Sequence, residues 1–370
     1  MKYAAIAKTL LSVSLFATAL TSQVRAAEEP VLHVYNWSDY IAEDTIANFE
    51  KETGIKVVYD VFDSNEVLEA KILSGHTGFD VVVPSNDFLG RQAKAGAFMK
   101  LDKSKLTNYK NLDPKLMKML ADAADPGNQY AVPYLWGTTG IGYNVDKIKK
   151  ILGDDAPVNS WDLVFQPKYM EKLKQCGVSF LNAPTEILAS VLNYLGKDPN
   201  STVPNDYTKV ALPLLQKIRP YVTQINSSEY INSLANGDIC VAVGWSGDIM
   251  MAADRAKQAK NGVHIKYSIP KEGALAWFDL MAIPKDAKHP ENALKFINYL
   301  LRPKVIADIS NYVWYANPNV PSKQYVDKEI TSDPGIYPDA ATSAKLYSAK
   351  ILPMKIDRIR TRTWTTFLQN

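Results

Sequence analysis

Short apolar strands alternate with amphipathic helices along most of the chain, and this alternation limits the fold more than any other feature of the sequence. The pattern predicts a strand at 31–35, a helix at 43–52 and a second strand at 55–61. A helix capped by Ser64 and an apolar strand at 80–83 follow, the latter typical of buried parallel strands. Strands that alternate with helices in this way predict an α/β fold.

One later segment shows no clear helical period, and we interpret it and two further segments as crossings between two lobes. These segments lie at 133–144, 244–249 and 312–318. The sequence therefore predicts an α/β clamshell with two or three hinge crossings. Lobe 1 would hold residues 27–136 and 250–312, and lobe 2 would hold residues 137–249 and 313–370. Ligands of open α/β sheets bind at the carboxyl ends of strands, so we expect the site in the cleft between the lobes.

The N-terminus has the layout of a secretory signal peptide. Two lysines precede an uncharged stretch at 9–21, and a short cleavage motif at 24–26 follows it. The uncharged stretch is shorter than the roughly 20 residues that span a membrane. We expect residues 1–26 to be removed, with cleavage near Ala26 or Ala27. Neither cysteine lies near this position to carry a lipid, so the expected product is an unanchored periplasmic protein.

Removal of this segment changes the charge of the chain. The formal net charge of +3 falls to 0, because the segment holds three basic residues and no acidic one. A neutral chain gives no support to nucleic-acid binding, which requires a clustered basic surface.

The two cysteines, Cys176 and Cys240, would enter an oxidising compartment. An internal disulfide is the default in such a compartment, and two buried thiols are the alternative. The closed loop would span about 64 residues, which in the chain-entropy treatment stabilises the fold by roughly 4 kcal/mol.

Catalytic and metal motifs are missing from the sequence. The four histidines, His33, His76, His264 and His289, stand apart from one another and show no zinc spacing. Residues 244–248 read GWSGD and resemble a nucleophile elbow, but aspartate occupies the position where that motif needs glycine. We therefore expect a protein that is not an enzyme and uses no cofactor or metal.

Aromatic residues stand beside acids at or near several predicted strands. Trp37-Ser38-Asp39-Tyr40 and Trp245-Ser246-Gly247-Asp248 follow strands, and Trp277-Phe278-Asp279 lies on another. The polar segment Ser85-Asn86-Asp87 follows the strand at 80–83. Each one alone has a structural explanation, because tryptophan packs cores and Ser-Asp pairs cap helices. Their repetition suits an alkyl ammonium, since carboxylates pair with its heads while aromatic faces attract cations and cover methylenes. An anion site would carry arginine or lysine here instead.

Longer stretches resemble a known family. The segments VYNWSDYIA, GTTGIGYN, LANGDICVAVGWSGD and DPGIYP resemble the periplasmic spermidine/putrescine-binding proteins of ABC import systems, and the resemblance covers nearly the whole mature chain. It implies a type II periplasmic binding-protein fold that closes on a polyamine and presents it to an inner-membrane permease. A monomer is the simplest expectation, and the two cysteines match the disulfide positions of the family.

The resemblance also implies a set of ligand contacts. They fall on Trp37, Ser38, Asp39, Tyr40, Ser85, Asp87, Glu186, Trp245, Asp248, Trp277, Asp279 and Tyr315. The rings would sandwich the alkyl chain, and Asp248 and Asp279 would hold amines near the middle and inner part of the pocket. Asp39 and Glu186 would act directly or through water.

Two of these positions bear on the choice of polyamine. Spermidine binders of the family tend to have aspartate and tryptophan at the positions of Asp87 and Trp277, whereas putrescine binders tend to have a small polar residue and phenylalanine. The sequence therefore favours spermidine, while helix capping is the alternative role for Asp87. A putrescine-preferring binder and a polyamine sensor subunit for a membrane receptor are the alternatives for the protein.

A basic alternation lies near the C-terminus, at Arg358, Arg360 and Arg362. We interpret these arginines as the solvated face of a strand or loop, and docking on a permease is the alternative.

Overall fold

The computed structural model describes residues 28–369, so the expected signal peptide and its cleavage site lie outside the described residues. Within this range nine strands form one mixed sheet. The strands are β1 Val31–Trp37, β2 Lys56–Phe62, β3 Val81–Val82, β4 Ala131–Asn144, β5 Val178–Phe180, β6 Gln224–Ile225, β7 Val241–Trp245, β8 Ile265–Ser268 and β9 Ala276–Ala282.

Helices connect most of these strands. They are α1 Thr45–Thr53, α2 Asn65–Leu73, α3 Asn86–Lys94, α4 Pro114–Ala123, α5 Val145–Leu152, α6 Asp162–Phe165, α7 Pro167–Leu173, α8 Pro184–Tyr194, α9 Leu212–Ile218, α10 Tyr230–Ala235, α11 Ser246–Ala259, α12 Pro290–Leu300, α13 Pro303–Val313, α14 Lys328–Thr331, α15 Ala340–Ser343 and α16 Met354–Gln369. A π-helical turn, Asp206–Ala211, leads into α9. Local signals set several ends: Ser64 Oγ accepts the Val67 N–H to cap α2, and Gly54 ends α1 with a φ of 71°. Across the described range, no helix is both long and apolar enough to cross a membrane.

The sheet has two halves that share one strand. Its order is β2-β1-β3-β9-β4-β7-β5-β6, and β8 also pairs with β4. The first part of the 14-residue β4, from Ala131 to Thr138, pairs antiparallel with β9, whereas Thr139 to Asn144 pair antiparallel with β7 and β8. The expected extended crossing at 133–144 is therefore confirmed.

The second crossing differs from its prediction. The segment 244–249 is not extended, because β7 ends at Trp245 and α11 begins at once with Ser246. Helix α11 packs against α10 and β8, and β8 pairs with the second part of β4. Since β9 is the strand that pairs with β3 and the first part of β4, the chain changes halves between β8 and β9. The pairing thus joins the first part of 250–312 to the second half of the sheet, and the lobe boundaries stay a prediction.

The C-terminal region also differs in part. Helix α13 ends at Val313, and Ala316 then forms a bridge to Trp136 of β4, so the chain does meet the shared strand within 312–318. Further on, the predicted strand or loop at 358–362 is wrong, because these residues belong to α16. That helix packs against α8 and α9 and buries residues at helical spacing, among them Ile356, Arg360 and Trp364.

The expected disulfide is present. Cys176 and Cys240 are bonded, with their Cα atoms 5.5 Å apart. The bond ties the segment before β5 to the segment before β7, two parallel neighbours in the sheet.

Candidate ligand-binding site

A cavity between the two halves of the sheet brings most of the predicted contact residues together. We call it the main cavity; it holds about 440 Å³ of space outside protein atoms, including its opening to solvent. Eleven of the twelve predicted residues line it, and Asp87 is the exception. The lining residues that the sequence did not single out are Phe62, Asp63, Ser227, Ser228 and Ile231.

Two buried carboxylates face this cavity. Asp279, on β9, is 3% exposed and accepts hydrogen bonds from Tyr40 Oη at 2.8 Å and Ser85 Oγ at 2.6 Å. Asp248, in the first turn of α11, is 5% exposed and accepts from Tyr230 Oη at 2.8 Å and Tyr315 Oη at 2.6 Å. Hydroxyl groups thus fix both carboxylates, and neither forms an ion pair with a basic side chain of residues 28–369.

Burial raises the pKa of Asp248 and of Asp279 to about 7, and the hydroxyl hydrogen bonds lower both by a smaller amount. Among residues 28–369, no basic side chain lies within ion-pairing distance of either carboxyl. The pair therefore favours a ligand that brings its own positive charges.

Glu186 lies at the base of the cavity, in the first turn of α8. Its Oε2 accepts from Trp245 Nε1 at 2.8 Å and from the hydroxyl of Thr139 on β4. Burial raises the pKa of this carboxyl to about 8. Glu186 is thereby held against the shared strand.

Aromatic rings form the walls. Trp37 and Trp245 meet edge to face with ring centroids 5.5 Å apart, and Tyr315 lies 5.3 Å from Trp277 and 5.1 Å from Tyr40. The Trp37 Nε1–H donates to the Val83 carbonyl at 2.9 Å, which fixes that ring. Such rings offer apolar surface for methylenes and π faces for cations.

Asp39 occupies a different position from the other acids. Its side chain is 40% exposed, and its Oδ1 forms an ion pair with Arg255 Nη2 of α11 at 2.7 Å. Arg255 also donates to Asn232 Oδ1 at 2.8 Å. Because Asp39 follows β1 while α11 packs with the second half of the sheet, this ion pair joins the two lobes at the mouth of the main cavity.

A second cavity, with about 380 Å³ of space outside protein atoms including its opening to solvent, adjoins the main cavity. Both cavities are lined by Trp37, Ser85, Glu186, Trp245 and Trp277. The second cavity adds two carboxyls, Glu66 of α2 and Asp87 of α3. Burial raises the pKa of Glu66 to about 7 and also raises that of Asp87.

Two polar atoms in the second cavity have no hydrogen-bond partner in the part of the chain that the structure describes. They are Asp87 Oδ2 and Trp277 Nε1, both buried. Ser85, the N-cap residue of α3, does not cap the helix with its side chain, because that hydroxyl is bonded to Asp279. The second cavity is therefore an acidic extension of the main cavity with an unpaired acceptor.

Besides the five lining residues named above, the sequence did not single out three polar residues of the site. Tyr230 bridges Asp248 and the Trp245 N–H, Thr139 holds Glu186, and Glu66 lines the second cavity. The segment that contains Thr139 was among those that carried the family resemblance. For Tyr230, no local pattern set it apart.

Comparison with known proteins decides the family. Residues 44–338 match the family model of the bacterial extracellular solute-binding proteins. The chain belongs to this family. This solute-binding protein is 62% identical over 340 residues to the putrescine-binding periplasmic protein PotF of Escherichia coli, with 92% of each chain covered. It is 57% identical over 358 residues to the putrescine-binding periplasmic protein SpuD of Pseudomonas aeruginosa, with 97% of each covered.

A solved structure gives the same result for the fold. The spermidine/putrescine ABC transporter substrate-binding protein PotD of Streptococcus pneumoniae superposes with a TM-score of 0.71 at 30% identity, covering 92% of this chain and 98% of that chain. The resemblance inferred from the sequence and the two-lobed α/β fold are confirmed. The chain is a solute-binding protein and not an enzyme.

Proposed function

We propose that this protein is the periplasmic polyamine-binding component of an ABC importer, that it binds spermidine preferentially, and that it delivers its ligand to an inner-membrane permease. One observation carries the proposal: Asp248 and Asp279 are buried carboxylates between aromatic rings, held by hydroxyl groups and not by basic side chains of the described residues. A linear diammonium supplies the two missing positive charges and an alkyl chain for the rings. The two relatives PotF and SpuD are putrescine-binding periplasmic proteins, which supports the ligand class and the compartment. The solved structure is that of a spermidine/putrescine ABC transporter substrate-binding protein, which supports the ligand class.

The energetics of the main cavity suit such a ligand. Burial of four methylenes contributes roughly 3 kcal/mol, and each ring face that contacts an ammonium adds about 0.5–2 kcal/mol. Hydrogen bonds to charged groups add about 1.5–3 kcal/mol each, reduced by the desolvation of both partners. These contributions reach the roughly 8 kcal/mol of micromolar binding.

The preference for spermidine rests on the second cavity. The main cavity provides for two amines, and spermidine has a third amine on an extra arm. Asp87 Oδ2, buried and without a protein partner, offers an acceptor for that amine, and Trp277 lines both cavities. Putrescine would leave this acceptor unsatisfied, which costs about 1–3 kcal/mol for a buried polar group.

A preference for putrescine is the second candidate. The two relatives with 62% and 57% identity are both putrescine-binding proteins, and this similarity favours the smaller ligand. The two candidates differ in whether the second cavity contributes to affinity.

Calorimetric titration of refolded, ligand-free protein with putrescine, spermidine and spermine tests the proposal. We expect Asp87→Asn and Trp277→Phe each to weaken spermidine binding about tenfold more than putrescine binding. Asp122→Asn, an exposed change of equal charge, is the matched control and should leave both affinities unchanged. Equal losses for the two ligands would eliminate the spermidine preference, and absence of binding to any polyamine would eliminate the polyamine function.

A further inference from the structure

Arg360 lies close to the second cavity, on helix α16, which holds none of the predicted ligand contacts. A third cavity lies next to the second and shares Glu66 and Thr185 with it. Arg360 of α16 lines this third cavity, is 8% exposed, and forms an ion pair with Asp357, with Nη2 and Oδ1 2.8 Å apart. The far end of the acidic extension is therefore close to a buried cation of the chain itself.

The neighbouring charges are only partly balanced. Arg91 forms a two-bonded ion pair with Glu69, with Nε–Oε1 at 2.5 Å and Nη2–Oε2 at 2.7 Å. Its Nη1 lies 3.7 Å from Asp357 Oδ2. Two arginines thus stand among four carboxyls around the boundary of the two cavities: Glu66, Glu69, Asp87 and Asp357. Asp87 retains an acceptor atom with no partner.

Arg360 acts electrostatically on both carboxyls of the second cavity. Burial raises the pKa of Glu66 and of Asp87, and the positive charges of Arg91 and Arg360 lower both, with Arg91 acting more strongly on Asp87 and Arg360 more strongly on Glu66. The positive charge of Arg360 would repel a ligand ammonium bound at Glu66 and Asp87. A ligand confined to the main cavity would be nearly insensitive to it, because its ammoniums lie at Asp248 and Asp279.

We propose that Arg360 is a specificity-determining residue: its fixed charge in the third cavity, which shares Glu66 with the second, opposes the terminal ammonium of a longer polyamine and so limits selectivity for spermidine over putrescine. The inference rests on the proposed polyamine function and deepens it. Arg360 belongs to lobe 2 through the packing of α16 on α8 and α9, whereas Glu66 and Asp87 belong to helices of lobe 1. The charge of Arg360 therefore acts on Glu66 and Asp87 when the two lobes are arranged as in this structure.

Calorimetry on Arg360→Gln tests the inference through the ratio of the putrescine and spermidine dissociation constants. We expect this ratio to shift about tenfold toward spermidine, the order expected for one charge acting on an ammonium in a partly buried site. Arg360→Lys retains the charge and should leave the ratio unchanged. Arg358→Gln removes an exposed charge from the same helix and is the matched control.

A second variant keeps the test decisive if Arg360→Gln does not fold. Asp357→Asn leaves the charge of Arg360 less compensated, so the ratio should move toward putrescine. An unchanged ratio in both variants, or equal changes in the two affinities, would show that Arg360 only holds α16 in place and would overturn the inference. Failure of the unmodified protein to bind any polyamine would instead remove the proposed function.

Discussion

Binding of a polyamine should release protons, and its affinity should rise steeply between pH 6 and pH 8. The cause lies in the two carboxyls of the main cavity, since burial raises the pKa of Asp248 and of Asp279 to about 7 in the protein alone. An ammonium binds the ionised form of each, so a bound proton must leave first. The amines themselves stay protonated throughout, because alkyl amines resemble lysine, with a pKa near 10.

The magnitude follows from the two pKa values. A carboxyl with a pKa of about 7 is roughly one-tenth ionised at pH 6 and nine-tenths ionised at pH 8, which changes affinity about tenfold. If both carboxyls contact the ligand, the affinity for putrescine should rise about a hundredfold over this interval. At pH 7 each site is about half protonated, so binding should release about one proton in total.

Titration calorimetry at pH 6, 7 and 8 measures both quantities. Parallel runs in buffers with different ionisation enthalpies give the number of protons released. Asp248→Asn should remove about one tenfold step of the pH dependence and also weaken binding at pH 8. An affinity independent of pH, with no proton release in either buffer, would refute the assignment of these buried carboxyls as the ammonium partners.

Three further outcomes follow from the structure. Arg255→Gln breaks the ion pair with Asp39 and should weaken polyamine binding less than tenfold, because exposed ion pairs contribute about 0.2–1 kcal/mol. Stopped-flow measurements should show that the loss comes mainly from faster dissociation. Loss of all binding would contradict a role confined to the cavity mouth. Gly247→Ala would place a Cβ against the ring of Tyr315 and displace the Tyr315 hydroxyl from Asp248. Calorimetry should then show that the affinity for polyamines falls more than tenfold. An unchanged affinity would mean that the ring moves freely. Reduction of the disulfide should lower the free energy of unfolding by up to about 4 kcal/mol in denaturant titrations while leaving 25 °C binding of the folded protein intact.

The alternation of strands and helices could be predicted because it depends on local signals. Strand β1, helix α2 with its Ser64 cap, and the long β4 all follow patterns within a few residues. The failures have local causes too. Residues 244–249 contain two glycines, which are poor helix formers and concealed the start of α11. The spacing of two between the C-terminal arginines imitated a strand, whereas the buried residues of α16 follow helical spacing.

The site could be predicted in its acids and rings but not in the groups that hold them. Aromatic and acidic residues adjoin in sequence, so their repetition was visible. Their partners lie far away along the chain: Tyr40 and Asp279 are 239 residues apart, and Asp39 and Arg255 are 216 apart. Because only the tertiary fold joins such pairs, the ion pair of Asp39 could not be anticipated.

The shared strand β4 has a mechanical consequence. Its Thr138–Thr139 step is where hydrogen bonding passes from β9 to β7, and the Thr139 hydroxyl holds Glu186 at the base of the cavity. The axis of any rotation of one lobe against the other would pass near this step, where displacements are smallest. Asp39 and Arg255 lie farther from it and would be displaced most. The contacts around Glu186 would thus keep their geometry while the lobes open, and most of the displacement would occur at Asp39 and Arg255.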